Sequence, residues 1–395
     1  MRKSDKSTKN YQTDTRLVNT GRSSSDLECF VNPPVVHAST VLFESTEELF
    51  SGRAKYHYGR RGTPTTEALT DALTDLEGAH GTVLTPSGLA ACSLALLSAA
   101  KAGDHILITD SVYEPTRNFA SVVLEPMGVE VDYYDPLVGS DISKLFKSNT
   151  TAVFTEVPGS QTFEMQDIPA IVAAAHAHDI LVVLDNTWGT PLYFDAMAHG
   201  VDMTIQAGTK YIVGHSDVML GVVSANEKAW TRLELVHGAM GYHVAPDDVY
   251  LALRGLRTMG VRLRQHQKSA LDMALWLEAR PEVDRVLYPP LESDPGHEIW
   301  KRDFTGACGL MGVVLKNCTK KQTLALIDAF ELFGLGYSWG GFESLVIYAD
   351  PRNYRTATVW DEPGQLIRLH IGLEDVADLK ADLEKGFAAL SSTEG

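Results

Sequence analysis

Cysteine is scarce in this chain. Cys29, Cys92, Cys308 and Cys318 are spread through 395 positions. That is too few for a disulfide framework, and none forms a Cys-x-x-Cys pair or joins a histidine cluster that could hold a metal. A reducing compartment, the cytoplasm, is therefore expected. Basic charge is also short: 34 Lys and Arg face 51 Asp and Glu, a formal net charge of −17. A nucleic-acid partner needs a basic footprint, and none is visible; the acidic surface argues for solubility. The longest apolar stretch, residues 88–100, is too short to span a bilayer and carries Ser and Cys. The opening Met1-Arg-Lys-Ser-Asp-Lys-Ser-Thr-Lys is basic with no apolar stretch behind it, which is not the pattern of a secretory signal. There is no Walker loop and no Gly-x-Gly-x-x-Gly, and a Ser-His-Asp hydrolase is not the expected reading. His176 and His178, two apart on an expected helix, do not share a face, so no metal is expected.

What is present is alternation. Residues 66–77 place Leu69, Leu73 and Leu76 on one helical face. Ser87-Gly88 precedes an apolar helix, and Gly103-Asp104 breaks the chain before His105-Ile-Leu-Ile-Thr. Further apolar runs stand at 152–155, 180–184, 201–206 and 221–224, with an Ala-rich helix over 169–178. Short apolar runs alternating with helices predict βαβ units around a parallel sheet. Residues 1–60 are irregular, an arm that either packs on another subunit or wraps its own surface. Beyond about 258 the texture changes. A helix over 260–279, a strand at 312–315 and a closing helix over 375–390 predict a smaller α+β unit. The expected organisation is an arm at 1–60, a large ligand-binding domain at 61–258 and a C-terminal domain at 259–395.

Several residues within this frame carry chemistry. Ile180-Leu-Val-Val-Leu-Asp185 is a strand buried on both faces that ends in an acid, and open α/β sheets bind ligands beyond the carboxyl ends of their strands. Asp185 there can face a cationic ring nitrogen, although a helix cap is the ordinary use of such an Asp. Ile205-Gln-Ala-Gly-Thr209-Lys210 follows a second strand. Lys210 sits among Gly208, Tyr211, Ile212, Val213 and Gly214, poor company for a surface cation. Desolvation lowers a lysine's pKa and frees the neutral amine for Schiff-base chemistry. Thr209 beside it offers a hydroxyl to a phosphate.

Thr85-Pro-Ser87-Gly88-Leu89-Ala90 opens a helix whose N–H groups suit an anion, though Ser-Gly is also a plain cap. Tyr58-Gly-Arg60-Arg61-Gly62 offers guanidinium forks to a phosphate, or is simply a charged turn. Tyr113 can stack on a flat cofactor or pack in a core. Tyr337-Ser338-Trp339-Gly340-Gly341 is a turn carrying an aromatic. Arg368, inside an apolar strand, is costly unless paired and wants a carboxylate, from the protein or from a substrate. Arg254, Arg257, Arg262 and Arg264 read as structural ion pairs. Together these supply an amine, an acid for a pyridinium, a phosphate cradle, a stacking ring and an arginine for a substrate carboxylate. Those are the requirements of a pyridoxal 5′-phosphate (PLP) enzyme.

Over roughly residues 15–390 the chain resembles the PLP-dependent enzymes of cysteine and methionine metabolism. The motifs that carry the resemblance are Tyr58-Gly-Arg-Arg-Gly-Thr63, Asp185-Asn-Thr-Trp188, Gln206-Ala-Gly-Thr-Lys-Tyr-Ile-Val-Gly-His-Ser-Asp217, Gly255-Leu-Arg-Thr-Met-Gly-Val-Arg-Leu-Arg264, Trp300-Lys-Arg-Asp-Phe-Thr-Gly306 and Ser338-Trp-Gly-Gly341. The resemblance implies an α/β fold of the aspartate-aminotransferase type (fold type I), with a large mainly parallel sheet and a smaller C-terminal α+β domain. It implies a homotetramer, a dimer of dimers with shared sites. PLP would be held as an imine on Lys210, with Asp185 on the pyridinium and Tyr113 stacked on the ring. Gly88 and Leu89 N–H groups and the Thr209 hydroxyl would take the phosphate, with Tyr58 and Arg60 reaching the cofactor of a neighbouring subunit. Arg368, helped by Ser338 and Trp339, would clamp the substrate α-carboxylate.

Two departures, Ala207 in place of a serine and Pro158-Gly159-Ser160 in place of Ser-Asn, look like the branch that acts at Cβ, and Trp339 points the same way. The implied reaction is α,β-elimination of cystathionine to homocysteine, pyruvate and ammonia in methionine biosynthesis. Lys210 would carry the Cα proton to sulfur, and Tyr113 would accept one from the incoming amine. Cystathionine γ-lyase, methionine γ-lyase and cystathionine γ-synthase chemistry use the same cofactor residues. A non-catalytic binding protein on this scaffold is the alternative from another class.

Overall fold

A computed structural model describes residues 11–21 and 30–392 of the chain, so Cys29 lies outside the described residues. Seven short strands form one sheet: β1 Gly81–Thr85, β2 His105–Thr109, β3 Glu130–Tyr134, β4 Thr150–Glu156, β5 Leu181–Asp185, β6 Met203–Gln206 and β7 Gly221–Ala225. Their order is β1-β7-β6-β5-β4-β2-β3. The pairs from β3 through β6 are parallel, as the alternation predicts. β7 runs antiparallel to both of its neighbours, β1 and β6, so the sheet is mixed at that side.

The strands other than the edge strand β3 are largely buried because both of their faces are covered. Alternate residues enter two separate cores. Val83, Ile106, Ile108, Phe154 and Val183 pack with helices Gly88–Ala99 and Glu227–Met240. Leu84, Leu107, Val153, Val182 and Leu184 pack with helices Pro64–Glu77 and Ile168–His176 on the other face. Helix Gly88–Ala99 is buried nearly all round, which suits its lack of charge. Helix Pro64–Glu77 starts two residues before the periodicity indicates. Thr63 caps it by accepting the Thr66 N–H, and Pro64 fits the first turn, where its missing N–H costs nothing. Leu69, Leu73 and Leu76 form its buried face as expected.

Helix Met259–Glu278 leads to a second sheet of five strands: β8 Val283–Leu287, β9 Leu310–Leu315, β10 Gly334–Leu335, β11 Leu345–Ala349 and β12 Gln365–His370, in the order β10-β11-β12-β9-β8. All of its pairs except β10 with β11 are antiparallel. Helix Val376–Ser392 closes the fold. Helix Met259–Glu278 begins at the division expected between the larger and the smaller unit. The segment before residue 61 is less irregular than its composition suggests: Thr13–Asn19 and Thr46–Ser51 are helical. The basic cluster also differs from expectation. Arg264 pairs with Asp14, but Arg257 donates to the carbonyls of Leu17 and Thr20, and Arg262 to those of Tyr211, Ile212 and Gly255. Arg257 and Arg262 thereby tie backbone segments together.

Candidate active site

The carboxyl ends of β4, β5 and β6 lie side by side, because Glu156 is in register with Asp185, and Asp185 with Ile205. Asp185 is the last residue of β5 and is buried. Its Oδ1 accepts the Thr187 N–H at 3.0 Å and the Thr187 hydroxyl at 2.5 Å. Its Oδ2 faces the Cys92 thiol at 3.6 Å. Burial pushes its carboxyl above the ordinary range, while the Thr187 and Cys92 bonds oppose this. Among the described residues no Lys, Arg or His forms an ion pair with it. Thr187 also accepts the Ala207 N–H at 2.9 Å, and the Ala207 carbonyl accepts the Lys210 N–H at 2.9 Å. One hydroxyl thus couples the acid to the turn that carries the lysine.

Lys210 Nζ is 2.6 Å from the Ser338 hydroxyl and 5.3 Å from the centre of the Trp339 ring. Burial, and next the nearby Arg368 guanidinium, lower its pKa to about 8, with Asp185 opposing. Arg368 is buried in β12 and donates from Nη2 to the Ser338 carbonyl at 2.8 Å. Its Nε has no partner, and no carboxylate pairs with it among the described residues. A buried guanidinium left open in this way is a receptor for an anion. Tyr113 follows β2, is partly exposed, and donates its N–H to Glu156 Oε2 at 2.7 Å. Burial raises its phenol pKa, so it stands as a neutral phenol.

Ser87 caps helix Gly88–Ala99 by accepting the Ala90 N–H at 3.1 Å. The Gly88 and Leu89 N–H groups make no hydrogen bond among the described residues. A Cβ on Gly88 would lie 2.6 Å from that of Ala207, so a side chain there would collide with the lysine turn. The Thr209 hydroxyl donates to the Leu220 carbonyl at 3.2 Å and accepts its N–H at 2.9 Å. It would have to release that carbonyl before donating elsewhere. Tyr58 and Arg60 make their contacts in another place: Tyr58 bridges Thr40, and Arg60 reaches the Gly238 carbonyl at 3.3 Å.

Three contributors were not singled out from sequence. Glu156 ends its strand in an acid, just as Asp185 does, and that signal was readable. Cys92 lies one helical turn beyond Gly88, on the same face. Thr187 stands two residues after an Asp, the spacing of an Asx turn. Gly336-Tyr-Ser338-Trp-Gly340 also has the spacing of a hydrolase nucleophile elbow. It lies between two strands, however, and its serine faces an amine rather than a histidine.

The chain belongs to the Cys/Met metabolism PLP-dependent enzyme family, whose sequence model matches residues 14–388. It is 54% identical to a putative cystathionine beta-lyase of Rhizobium johnstonii, over 99% of this chain and 100% of that one. It is 46% identical to the cystathionine beta-lyase MetC of Escherichia coli, over 95% and 98% of the two chains. A solved cystathionine gamma synthase of Xanthomonas oryzae pv. oryzae superposes with a TM-score of 0.89 at 29% identity, over 97% and 100% of the two chains. The architecture is that of a fold type I PLP enzyme, and the cofactor is PLP.

The residues present fit that cofactor. The Lys210 amine is available to an aldehyde, and the cation-free carboxylate of Asp185 would be restored to its charged form by a protonated ring nitrogen. The free N–H groups over the space beside Gly88 suit a phosphate.

Proposed function

We propose that this chain is a PLP-dependent carbon–sulfur lyase that splits cystathionine at its Cβ–S bond, releasing homocysteine, pyruvate and ammonia in methionine biosynthesis. The observation that carries this reading is the buried Lys210 amine, its pKa lowered to about 8, beside a buried arginine that has no carboxylate partner among the described residues. That pair needs an amino acid between them, and the two cystathionine beta-lyase relatives supply the choice of bond.

Bound here, PLP supplies an electron sink for the pair left at Cα when its proton is removed. Asp185 would hold the protonated ring nitrogen, Gly88, Leu89 and Thr209 the phosphate, and Tyr113 would stack on the ring. Arg368 takes the substrate α-carboxylate, with Ser338 and Trp339 closing that side. Lys210 would remove the Cα proton and return it to the departing sulfur. The Cβ–S electrons leave with sulfur, and the remaining three-carbon fragment takes up water to give pyruvate and ammonia. Because burial keeps Tyr113 protonated, its proposed service as a base for the incoming amine relies on Arg368, which favours the phenolate.

Tyr58 and Arg60 make their recorded contacts with Thr40 and Gly238 rather than with Lys210, and Leu42 and Phe50 of the same segment are exposed at 90% and 83%. This supports a homo-oligomer in which the arm at 1–60 completes a neighbour's phosphate site, assembled as a dimer of dimers. Among the described residues no helix is long and apolar enough to cross a membrane. The free thiols Cys92, Cys308 and Cys318 suit the cytoplasm, where we place the enzyme. Purified holoenzyme incubated with cystathionine tests the reaction. Pyruvate with homocysteine is expected; 2-oxobutyrate with cysteine would establish γ-cleavage instead. Protein with neither product nor the yellow absorbance of a lysine-bound cofactor would be a non-catalytic relative.

A further inference from the structure

The turn between β10 and β11 carries two residues of the site on a backbone that a free turn would not choose. Ser338 has φ +75° and Gly340 has φ +85°. For serine that conformation is unfavourable unless its surroundings impose it. Two side chains of β12 impose it. Arg368 donates to the Ser338 carbonyl at 2.8 Å. Two residues along, on the same face of the sheet, His370 Nε2 accepts the Gly340 N–H at 3.0 Å. Since Nε2 accepts, the ring proton lies on Nδ1, which donates to the Glu343 carbonyl at 3.0 Å. The imidazole is wholly buried and packs against His266 and Tyr211. Burial, and next His266, hold its pKa well below the ordinary histidine range, so the acceptor is kept.

On the other side of the turn, a Cβ on Gly340 would stand 3.0 Å from Lys210 Cα. The turn is therefore pressed against the lysine backbone while its serine reaches the lysine amine. A shift of the turn moves Ser338, Trp339 and the carbonyl that orients Arg368 together.

We propose that His370 is a positioning residue of this site: by accepting the Gly340 N–H at Nε2 it locks the Ser338-Trp339-Gly340 turn over Lys210, in the arrangement that receives a substrate α-carboxylate. This rests on the reading of Lys210 as the cofactor lysine. His370 touches neither cofactor nor substrate and acts through Gly340.

Two variants separate its two bonds. His370→Gln keeps an amide where Nε2 lies, and His370→Asn keeps one where Nδ1 lies. L-Alanine, which has no leaving group at Cβ, is titrated into each PLP-loaded variant while the visible absorbance of the cofactor is followed. Cystathionine kcat and KM are measured alongside. His370→Gln is expected to bind alanine nearly as the wild type does. His370→Asn is expected to bind it about 10-fold more weakly, with kcat/KM lowered by about 100-fold at unchanged cofactor content. Equal behaviour of the two variants, both intact or both impaired, overturns the proposal, as does the reverse ranking. Wild-type protein that binds alanine but makes no pyruvate from cystathionine would refute the reaction assignment, and the alanine comparison would still decide the role of His370.

Discussion

Lys210 shows burial converted into reactivity. On a surface its amine would be almost wholly protonated at neutral pH. Desolvation, and then the charge of Arg368, bring its pKa down to about 8 against the pull of Asp185. The neutral amine is the form that attacks an aldehyde. Uptake of PLP by the apoenzyme should therefore accelerate about tenfold per pH unit below that value and level off above it. Stopped-flow absorbance reads this directly, and a rate that does not change with pH there would contradict a titrating Lys210. Asp185 illustrates the converse. Burial disfavours its charge, and two neighbours, Thr187 from its own turn and Cys92 from the distant helix Gly88–Ala99, resist that.

Among the elements, helix Pro64–Glu77 ends in an acid that no function absorbs. Glu77 is buried, accepts the Gln206 amide at 3.3 Å from the strand leading to Lys210, and has a second oxygen with no partner among the described residues. Burial raises its pKa to about 8 from 4.5. The folded value is above the unfolded one, so as pH rises past 4.5 the unfolded chain loses its proton first and stability declines until about pH 8. Glu77→Gln removes the titration while keeping an acceptor for Gln206. It should stabilise the fold by roughly 3–5 kcal/mol above that range and by little at the acid end. Denaturant melts at several pH values check this. A difference between the two proteins that stays constant with pH would mean that Glu77 is ionised when folded.

At the level of the molecule, the two units are joined beside the site. Asp110, just past β2, pairs with Arg117 and accepts the N–H groups of Thr356, Ala357 and Thr358 at 3.0, 3.1 and 2.7 Å. Asp110→Ala leaves these donors and the Arg117 guanidinium uncompensated, and should cost about 3–5 kcal/mol in chemical denaturation. A loss below about 1 kcal/mol would show the link to be solvated and weak. Subunit sharing has its own test. Arg60→Ala should weaken PLP retention and, mixed with Lys210→Ala, should return part of the activity that neither variant has alone. Verified mixed dimers without any recovery would place each site within a single chain.

Much of this was legible in the linear order of residues. The strands β2, β4, β5, β6 and β7 stand out as short apolar runs because both of their faces are buried. Lys210, Asp185, Tyr113 and the Ser87-Gly88 helix start are readable because ligands gather where such strands end. β1 and β3 do not stand out, since β1 mixes Gly81, Thr82 and Thr85 into its run and β3 carries Glu130 and Asp132 at exposed positions. The engagement of Thr209 with Leu220, the thiol of Cys92 against Asp185, the turn bonded to His370 and the clasp between Asp110 and Thr356–358 could not be read in advance. Each joins groups that composition and periodicity treat as unrelated. Hydrogen bonds and desolvation depend on distance in space, and the chain had to close around them before a donor found its acceptor or a lysine lost its water.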